Sequence, residues 1–333
     1  MALIKGISSY LPIQKLTNEN LEKEFPDFSQ QKVFSKLGIK ERHISGDESI
    51  SQMAILACQK LFRSTSLAAN DVDFILLCTQ SPDYILPTTA CIIQSKLGIP
   101  TNTGALDFNQ GCSGYIYGLA LAKGLIDSGI VKNLILITSE AYTKHIHPLD
   151  KSNRSIFGDG ATASWIGFDG QGLKINEFVL GTDGSGSNNL IIKNGGSLNP
   201  KKNDNVIFNS SGGGDSDNYL YMNGAEIFNF TLNNIPGLIE NVLNLNKQTL
   251  ESIDYFVFHQ ANSFMLDHLR KKIGIDKSKF IISMENVGNT VSSTIPLALE
   301  SSIKEYSDGK KILLAGFGVG YSWGSVVLTY QNR

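Results

Sequence analysis

A cysteine in the turn Asn109-Gln110-Gly111-Cys112-Ser113-Gly114-Tyr115 is the best-placed nucleophile of this chain. Helical spacing follows from Ile116 to Ser128, which puts Cys112 at a predicted helix N-terminus. Unpaired backbone N–H groups and the helix dipole favour a thiolate there. The small flanking residues leave a substrate carbonyl access to sulfur and backbone alike. Two more groups invite chemistry: His259, directly after the apolar run Tyr255-Phe256-Val257-Phe258, and Asn289, in Asn286-Val287-Gly288-Asn289-Thr290. Taken singly, each also has a plain structural reading. Cys112 could be a small core residue, His259 a satisfied histidine behind a strand, and Asn289 a helix cap.

The elements that must position them alternate as short apolar strands and helical stretches, the pattern of an α/β fold around a buried sheet. The two halves echo each other. Asp71–Leu77, a helix ending Lys96-Leu97-Gly98-Ile99, the Cys112 helix and the strand Leu134–Thr138 come first. Ser252–Phe258, a helix ending Lys272-Ile273-Gly274-Ile275, a helix opened by Gly288-Asn289-Thr290 and the strand Lys311–Ala315 follow in the same order. Matching landmarks lie about 176 to 181 residues apart. A duplicated fold puts Cys112 and Asn289 at equivalent helix starts and brings the loop of His259 toward the same cleft, at strand carboxyl ends. That placement favours catalysis over three unrelated structural roles.

Composition narrows the field. With 333 residues, 41% hydrophobic and a net charge of −2, the chain can build a large core. The near-neutral balance argues against nucleic acid or an anionic membrane as main partner. Four cysteines (Cys58, Cys78, Cys91, Cys112) make no disulfide framework, so reduced thiols are expected. The start shows no signal peptide and no run reaches membrane length, so a soluble cytoplasmic protein is expected. Gly181–Asn194 and Asn209–Asn218 read as long loops. Ser211-Gly212-Gly213-Gly214-Asp215 reads as plain loop, since no Lys-Ser/Thr follows to bind phosphate. Asp159, in Phe157-Gly158-Asp159-Gly160, reads as turn chemistry. His145, His147 and Asp150 lack the further ligands of a metal site, and none is expected.

Five segments together resemble the β-ketoacyl-acyl carrier protein synthase III family of thiolase-fold condensing enzymes. They are Gly111-Cys112-Ser113-Gly114, Phe157-Gly158-Asp159-Gly160-Ala161, His259-Gln260-Ala261-Asn262, Asn286–Thr290 and Gly316-Phe317-Gly318-Val319-Gly320-Tyr321-Ser322-Trp323-Gly324-Ser325. The likeness runs nearly end to end, from Leu11-Pro12 and Gly38–His43 to the last strand. It implies a thiolase-like α/β fold with duplicated βαβαβαββ halves in five αβαβα layers. Residues 1–172 would form the half carrying the cysteine, and 173–333 the half carrying histidine and asparagine. It also implies a homodimer.

The resemblance implies acylation of Cys112 by an acyl thioester, then condensation with a malonyl thioester and loss of carbon dioxide, as in fatty acid chain initiation. His259 and Asn289 would donate to the enolate oxygen. Backbone N–H groups at Cys112 and in the Gly318-Val319 turn would hold the other oxyanion, and Phe317 would border the malonyl carboxylate. Asn262 would bind substrate. No cofactor would stay bound. Coenzyme A or phosphopantetheine thioesters would serve as substrates, with acyl carrier protein as partner.

The departures from the family concern the thiol carrier. Aligned without gaps, Lys32 stands where an aromatic residue stacks on adenine, and Lys151, with Arg154 nearby, where an arginine does so. Lysine reproduces neither contact. Phe264 and Asn229 replace two basic residues that dock the carrier, while Arg270-Lys271-Lys272 keep a basic patch. Leu86 takes the place of an aromatic at the tunnel mouth. These differences leave two functions open: chain initiation, or a related condensing enzyme or acyltransferase of a specialised secondary-metabolite or surface-glycan pathway. The second thiolase cysteine is missing at Gly318-Val319-Gly320, and Asn289 stands where elongating synthases use a histidine. Asp83 is a weak candidate for the base of a 3-hydroxy-3-methylglutaryl synthase. A cysteine hydrolase or a silent scaffold would show no malonyl-dependent chemistry.

Overall fold

Buried apolar strands carry the architecture, and each sits where hydrophobic runs are bounded by turn residues. The computed structural model describes residues 1–200, 217–302 and 307–332, with the short strands Ile207–Phe208 and Gly214–Asp215. Residues 209–213 and 216 of the segment read as loop lie outside the described residues, and Gly214–Asp215 within it is a strand. Gly181–Asn194, also read as loop, holds the end of a strand, the 3₁₀ turn Gly184–Asn189 and the short strand Leu190–Ile191.

Among the described residues, ten strands make one hydrogen-bonded sheet. In chain order they are β1 (Ala2–Tyr10), β2 (Phe74–Cys78), β3 (Gly104–Phe108), β4 (Asn133–Glu140), β5 (Gly160–Phe168), β6 (Gly172–Thr182), β7 (Tyr255–Phe258), β8 (Phe280–Ile281), β9 (Lys311–Gly318) and β10 (Ser322–Gln331). The spatial order is β8-β7-β9-β10-β6-β1-β5-β4-β2-β3. Read outward from the middle, the halves match. β2 runs parallel to β3 and β4, as β7 does to β8 and β9, and the two innermost strands of each half pair antiparallel to their neighbours. The halves join where β1 meets β6 through Leu3↔Lys174 and Ile4↔Leu173.

Three apolar clusters fill the spaces between layers. The helix α1 (Ile50–Ser64) and α2 (Thr89–Lys96) cover the outer face of the first half through Met53, Ala57, Leu61 and Ile93. On the outer face of the second half lie α4 (Gly224–Leu245) and α5 (Ser263–Ile273), with Leu238, Val242 and Leu266. Between the halves lie α3 (Gly114–Asp127) and α6 (Thr294–Ser302). Leu119, Ala122, Ile126, Ile295 and Leu299 there meet Leu76 and Leu136 from one side and Val257 and Leu314 from the other. This is the expected αβαβα layering. Burying each such Leu or Ile stabilises by about 1.5–3 kcal/mol.

Two strand starts differ from expectation for a shared reason. β2 and β7 begin at Phe74 and Tyr255, because the aspartate ahead of each turns to the neighbouring strand. Asp73 accepts from the N–H groups of Lys132 and Asn133, and Asp254 from that of Lys311. The duplication thus extends to a polar detail at strand entry.

Candidate active site

Cys112 lies between the carboxyl end of β3 and the first turn of α3, where Gly114 N–H donates to the Gly111 carbonyl at 2.7 Å. The end of β9 passes directly over it. A Cβ on Gly318 would stand 2.8 Å from Cys112 Cβ, and one on Gly316 would stand 2.9 Å from the Cys112 carbonyl oxygen. Only glycine permits this approach. The sulfur is buried, at 6% exposure for the residue. The expected thiolate is not the resting form: burial, reinforced by the nearby Glu140 carboxyl, pushes the thiol up to about 12. Hydrogen bonds from the backbone N–H groups of Val319 and Cys112 pull the other way and are outweighed. Desolvation of the anion exceeds what these two N–H groups supply.

His259 follows β7, its backbone N–H donating to the Ala315 carbonyl at 2.8 Å. Its ring is buried, which holds it neutral with the pKa depressed to about 3. Nδ1 lies 2.8 Å from Thr294 Oγ1, and Nε2 lies 3.4 Å from Asn289 Nδ2. Phe317 sets its ring edge-on to the imidazole at 6.0 Å. Asn289 is no helix cap. Gly288 ahead of it has φ +74°, and Val291 N–H donates to Asn289 Oδ1 at 2.9 Å, leaving the amide nitrogen to face the histidine. The expected helix begins only at Thr294, after a 3₁₀ turn at Val291–Ser293.

Backbone bonds to Ile156 and Gly158, and a carboxyl that escaped sequence reasoning, hold this loop in place. Asn289 N–H donates to the Ile156 carbonyl, and Gly158 N–H to the Asn289 carbonyl, at 2.9 and 3.0 Å. Beneath it Glu140 accepts from Ser292 Oγ at 2.6 Å and from Gln80 N–H at 3.0 Å. Burial raises the Glu140 carboxyl to about 8. The end of an otherwise apolar strand gave no signal for a carboxyl in that role. Asp159, read from its run as local turn chemistry, instead ties distant segments together, accepting from the N–H groups of Ser45 and Thr143 at 2.8 and 3.0 Å.

Cys112, His259, Asn289, Phe317 and Gly318 line one cavity of about 450 Å³, with Asn262, Phe228, Phe264 and Lys36 among the residues toward its rim. Asn262 also caps α5, accepting from Met265 N–H at 2.8 Å. Lys32 is exposed on the helix Gln30–Leu37, one turn before Lys36. The other expected carrier contacts are placed differently. Lys151 is paired with Asp27, and Arg154 with Glu24 at 2.6 Å, so both cations are already neutralised. Arg270 and Lys271 share Asp267, at 2.9 and 2.6 Å, while Lys272 is exposed. Leu86 does not border the cavity: it is 79% exposed on a loop with Tyr84 and Ile85. Phe264 stacks on Phe228 at 5.6 Å, giving the rim an aromatic face in place of a basic one.

Among the described residues no group of three or more His, Cys, Asp or Glu is arranged to hold a metal ion, and no helix is long and apolar enough to cross a membrane.

Comparison with known proteins bears on this geometry. The family profile for 3-oxoacyl-[acyl-carrier-protein] synthase III matches residues 106–184, and the profile for its C-terminal part matches 243–330. A β-ketoacyl-[acyl-carrier-protein] synthase III of Clostridium perfringens is 36% identical over 325 residues, covering 97% of each chain. A crystal structure of a 3-oxoacyl-(acyl-carrier-protein) synthase III superposes with a TM-score of 0.96 at 47% identity, covering 99% of both chains. The 3-oxoacyl-(acyl-carrier protein) synthase of Burkholderia xenovorans LB400 gives 0.89 at 32% identity, covering 99% of this chain and 94% of that one.

Proposed function

The chain belongs to the 3-oxoacyl-[acyl-carrier-protein] synthase III family, and from that membership we propose how its own residues carry out the condensation. It is a thiolase-fold, acyl-transferring condensing enzyme. Cys112 Sγ attacks the carbonyl of an acyl thioester, and its proton leaves with the departing thiol, so no thiolate need persist in the resting enzyme. The N–H groups of Cys112 and Val319, which already point at the sulfur, hold the oxyanion of that step. A malonyl thioester then enters. Its C–CO₂ bond breaks, the electron pair passes into an enolate, and His259 and Asn289 donate to the enolate oxygen. The carbanion attacks the acyl group on Cys112, and the cysteine sulfur leaves as a thiolate and takes up one proton from solvent to restore the thiol. A 3-oxoacyl thioester and carbon dioxide are the products. Phe317 lends an apolar edge that disfavours the carboxylate charge and favours its loss.

The observation that carries this reading is the convergence of Cys112, His259 and Asn289 on one cavity. The partners are malonyl-carrier protein and an acyl-coenzyme A or acyl-carrier thioester, with no permanently bound cofactor. A homodimer fits the exposed apolar run Tyr84, Ile85 and Leu86, at 61, 93 and 79% exposure. The test is intact mass after incubation with acyl thioesters of graded length on coenzyme A and on carrier protein, with Cys112→Ala as control. One added acyl group, absent from the variant, supports the nucleophile; no adduct from any donor overturns it.

A second reading, a specialised primer delivered on a carrier protein, is favoured by the neutralised Lys151 and Arg154 and by the aromatic rim at Phe264. Preferential priming by carrier-bound acyl groups selects it, and efficient priming by short acyl-coenzyme A selects fatty acid initiation.

A further inference from the structure

We propose that Thr294 is a positioning residue that selects the working tautomer of His259, by donating its hydroxyl proton to Nδ1. The inference rests on the reading of His259 and Asn289 as enolate donors.

Thr294 opens α6, and its Oγ1 lies 2.8 Å from His259 Nδ1, which donates or accepts according to the tautomer. It also lies 3.0 Å from the Val291 carbonyl oxygen, which faces the His259 ring as an acceptor too. The hydroxyl has one proton to give. The buried imidazole is neutral and carries one N–H. Where Thr294 donates to Val291, Nδ1–H must donate to Thr294, and Nε2 accepts from Asn289 Nδ2, 3.4 Å away. The cavity then meets a lone pair on Nε2, which repels an enolate. Where Thr294 donates to Nδ1, the proton sits on Nε2. His259 and Asn289 then present two N–H donors side by side, and an oxyanion satisfies both. The interchange releases one proton from Nδ1 and takes one up at Nε2, exchanged with water in the cavity, so charge and proton count are unchanged.

The backbone is built around this choice. Val291 is a β-branched residue at φ +56°, a conformation such side chains rarely adopt. Its N–H aligns the Asn289 carboxamide through Oδ1, and its carbonyl competes for the Thr294 proton. One strained residue therefore governs both enolate donors, a placement expected of a functional constraint.

Thr294→Val keeps the shape and deletes the hydroxyl. The Val291 carbonyl, already an acceptor for the His259 ring, would then hold Nδ1–H unopposed and leave Nε2 bare. Three readouts test this in the full chain: acylation of Cys112 by acyl thioester, decarboxylation of malonyl-carrier protein, and ¹⁵N NMR of the histidine rings. The His259 signal is assigned by its absence in His259→Gln. In Thr294→Val we expect acylation to persist while decarboxylation drops roughly 10- to 100-fold. The His259 signals should move from the Nε2–H to the Nδ1–H pattern, and Thr294→Ser should restore both. An unchanged tautomer in Thr294→Val overturns the proposal, whether or not decarboxylation falls. If the wild-type chain neither acylates nor decarboxylates but the tautomer still switches, the proposed function fails and the role of Thr294 stands.

Discussion

Gly318 lies so close over Cys112 that a Cβ at position 318 would stand 2.9 Å from the cysteine sulfur. The contact joins the last turn of the second half to the nucleophile of the first. Gly318→Ala should therefore cover the thiol and displace the Val319 N–H that meets it. The expected outcome is loss of acylation by roughly 100-fold, the scale of removing an oxyanion donor, with the far-UV circular dichroism unchanged. Wild-type rates of adduct formation in intact-mass assays would rule out this packing.

Asn289→Asp separates the two ends of the carboxamide. Oδ1 can still accept from Val291 N–H, while the donor toward the cavity becomes an acceptor. Decarboxylation of malonyl-carrier protein should fall by roughly 10²- to 10³-fold, with Cys112 still acylated. Equal losses in both half-reactions would argue for a collapsed loop instead of a missing donor.

Acid should destabilise the fold through His259. The folded ring takes up its proton only near pH 3, whereas in the unfolded chain it does so near 6.5. The unfolded state thus binds more protons between these values, and stability contributed above pH 6.5 is lost as the pH falls toward 3. His259→Gln should remove that component. Denaturant unfolding at pH 7.5 and pH 5 should show the wild type losing more stability than the variant over this interval.

Glu140 acts with the opposite sign. Its folded carboxyl keeps a proton up to about pH 8, against an ordinary value of 4.5. The folded state binds more protons across that window, so stability falls as pH rises from 4.5 to 8 and levels off above it. Glu140→Gln should flatten this slope while its side-chain oxygen still accepts from Gln80 N–H. A variant whose stability follows the wild-type pH curve would show that another group titrates there.

Much of the fold was legible because strands and helices announce themselves locally. The run Asn133–Glu140 is apolar enough to be buried on both faces, and α3 is apolar nearly all round, as a helix between two sheets must be. The spacing of 177 residues between Cys112 and Asn289 carried the duplication. Strand starts were missed where Asp73 and Asp254 bond across to a neighbouring strand, because such a partner leaves no mark in a local window.

By itself the sequence determined which residue types stand at the strand ends and helix starts: a cysteine between glycines, a histidine after a strand, an asparagine after a glycine. Local spacing and backbone preference suffice for that. Only the tertiary structure decided their chemical state. The burial that lifts the Cys112 thiol comes from β9 passing over it, the neutrality of His259 from packing against Phe317, and the pairing of Lys151 with Asp27 from a segment 124 residues away. Desolvation and charge pairing are sums over everything nearby in space. A chain that is linear in sequence and folded in space keeps those sums hidden until it folds.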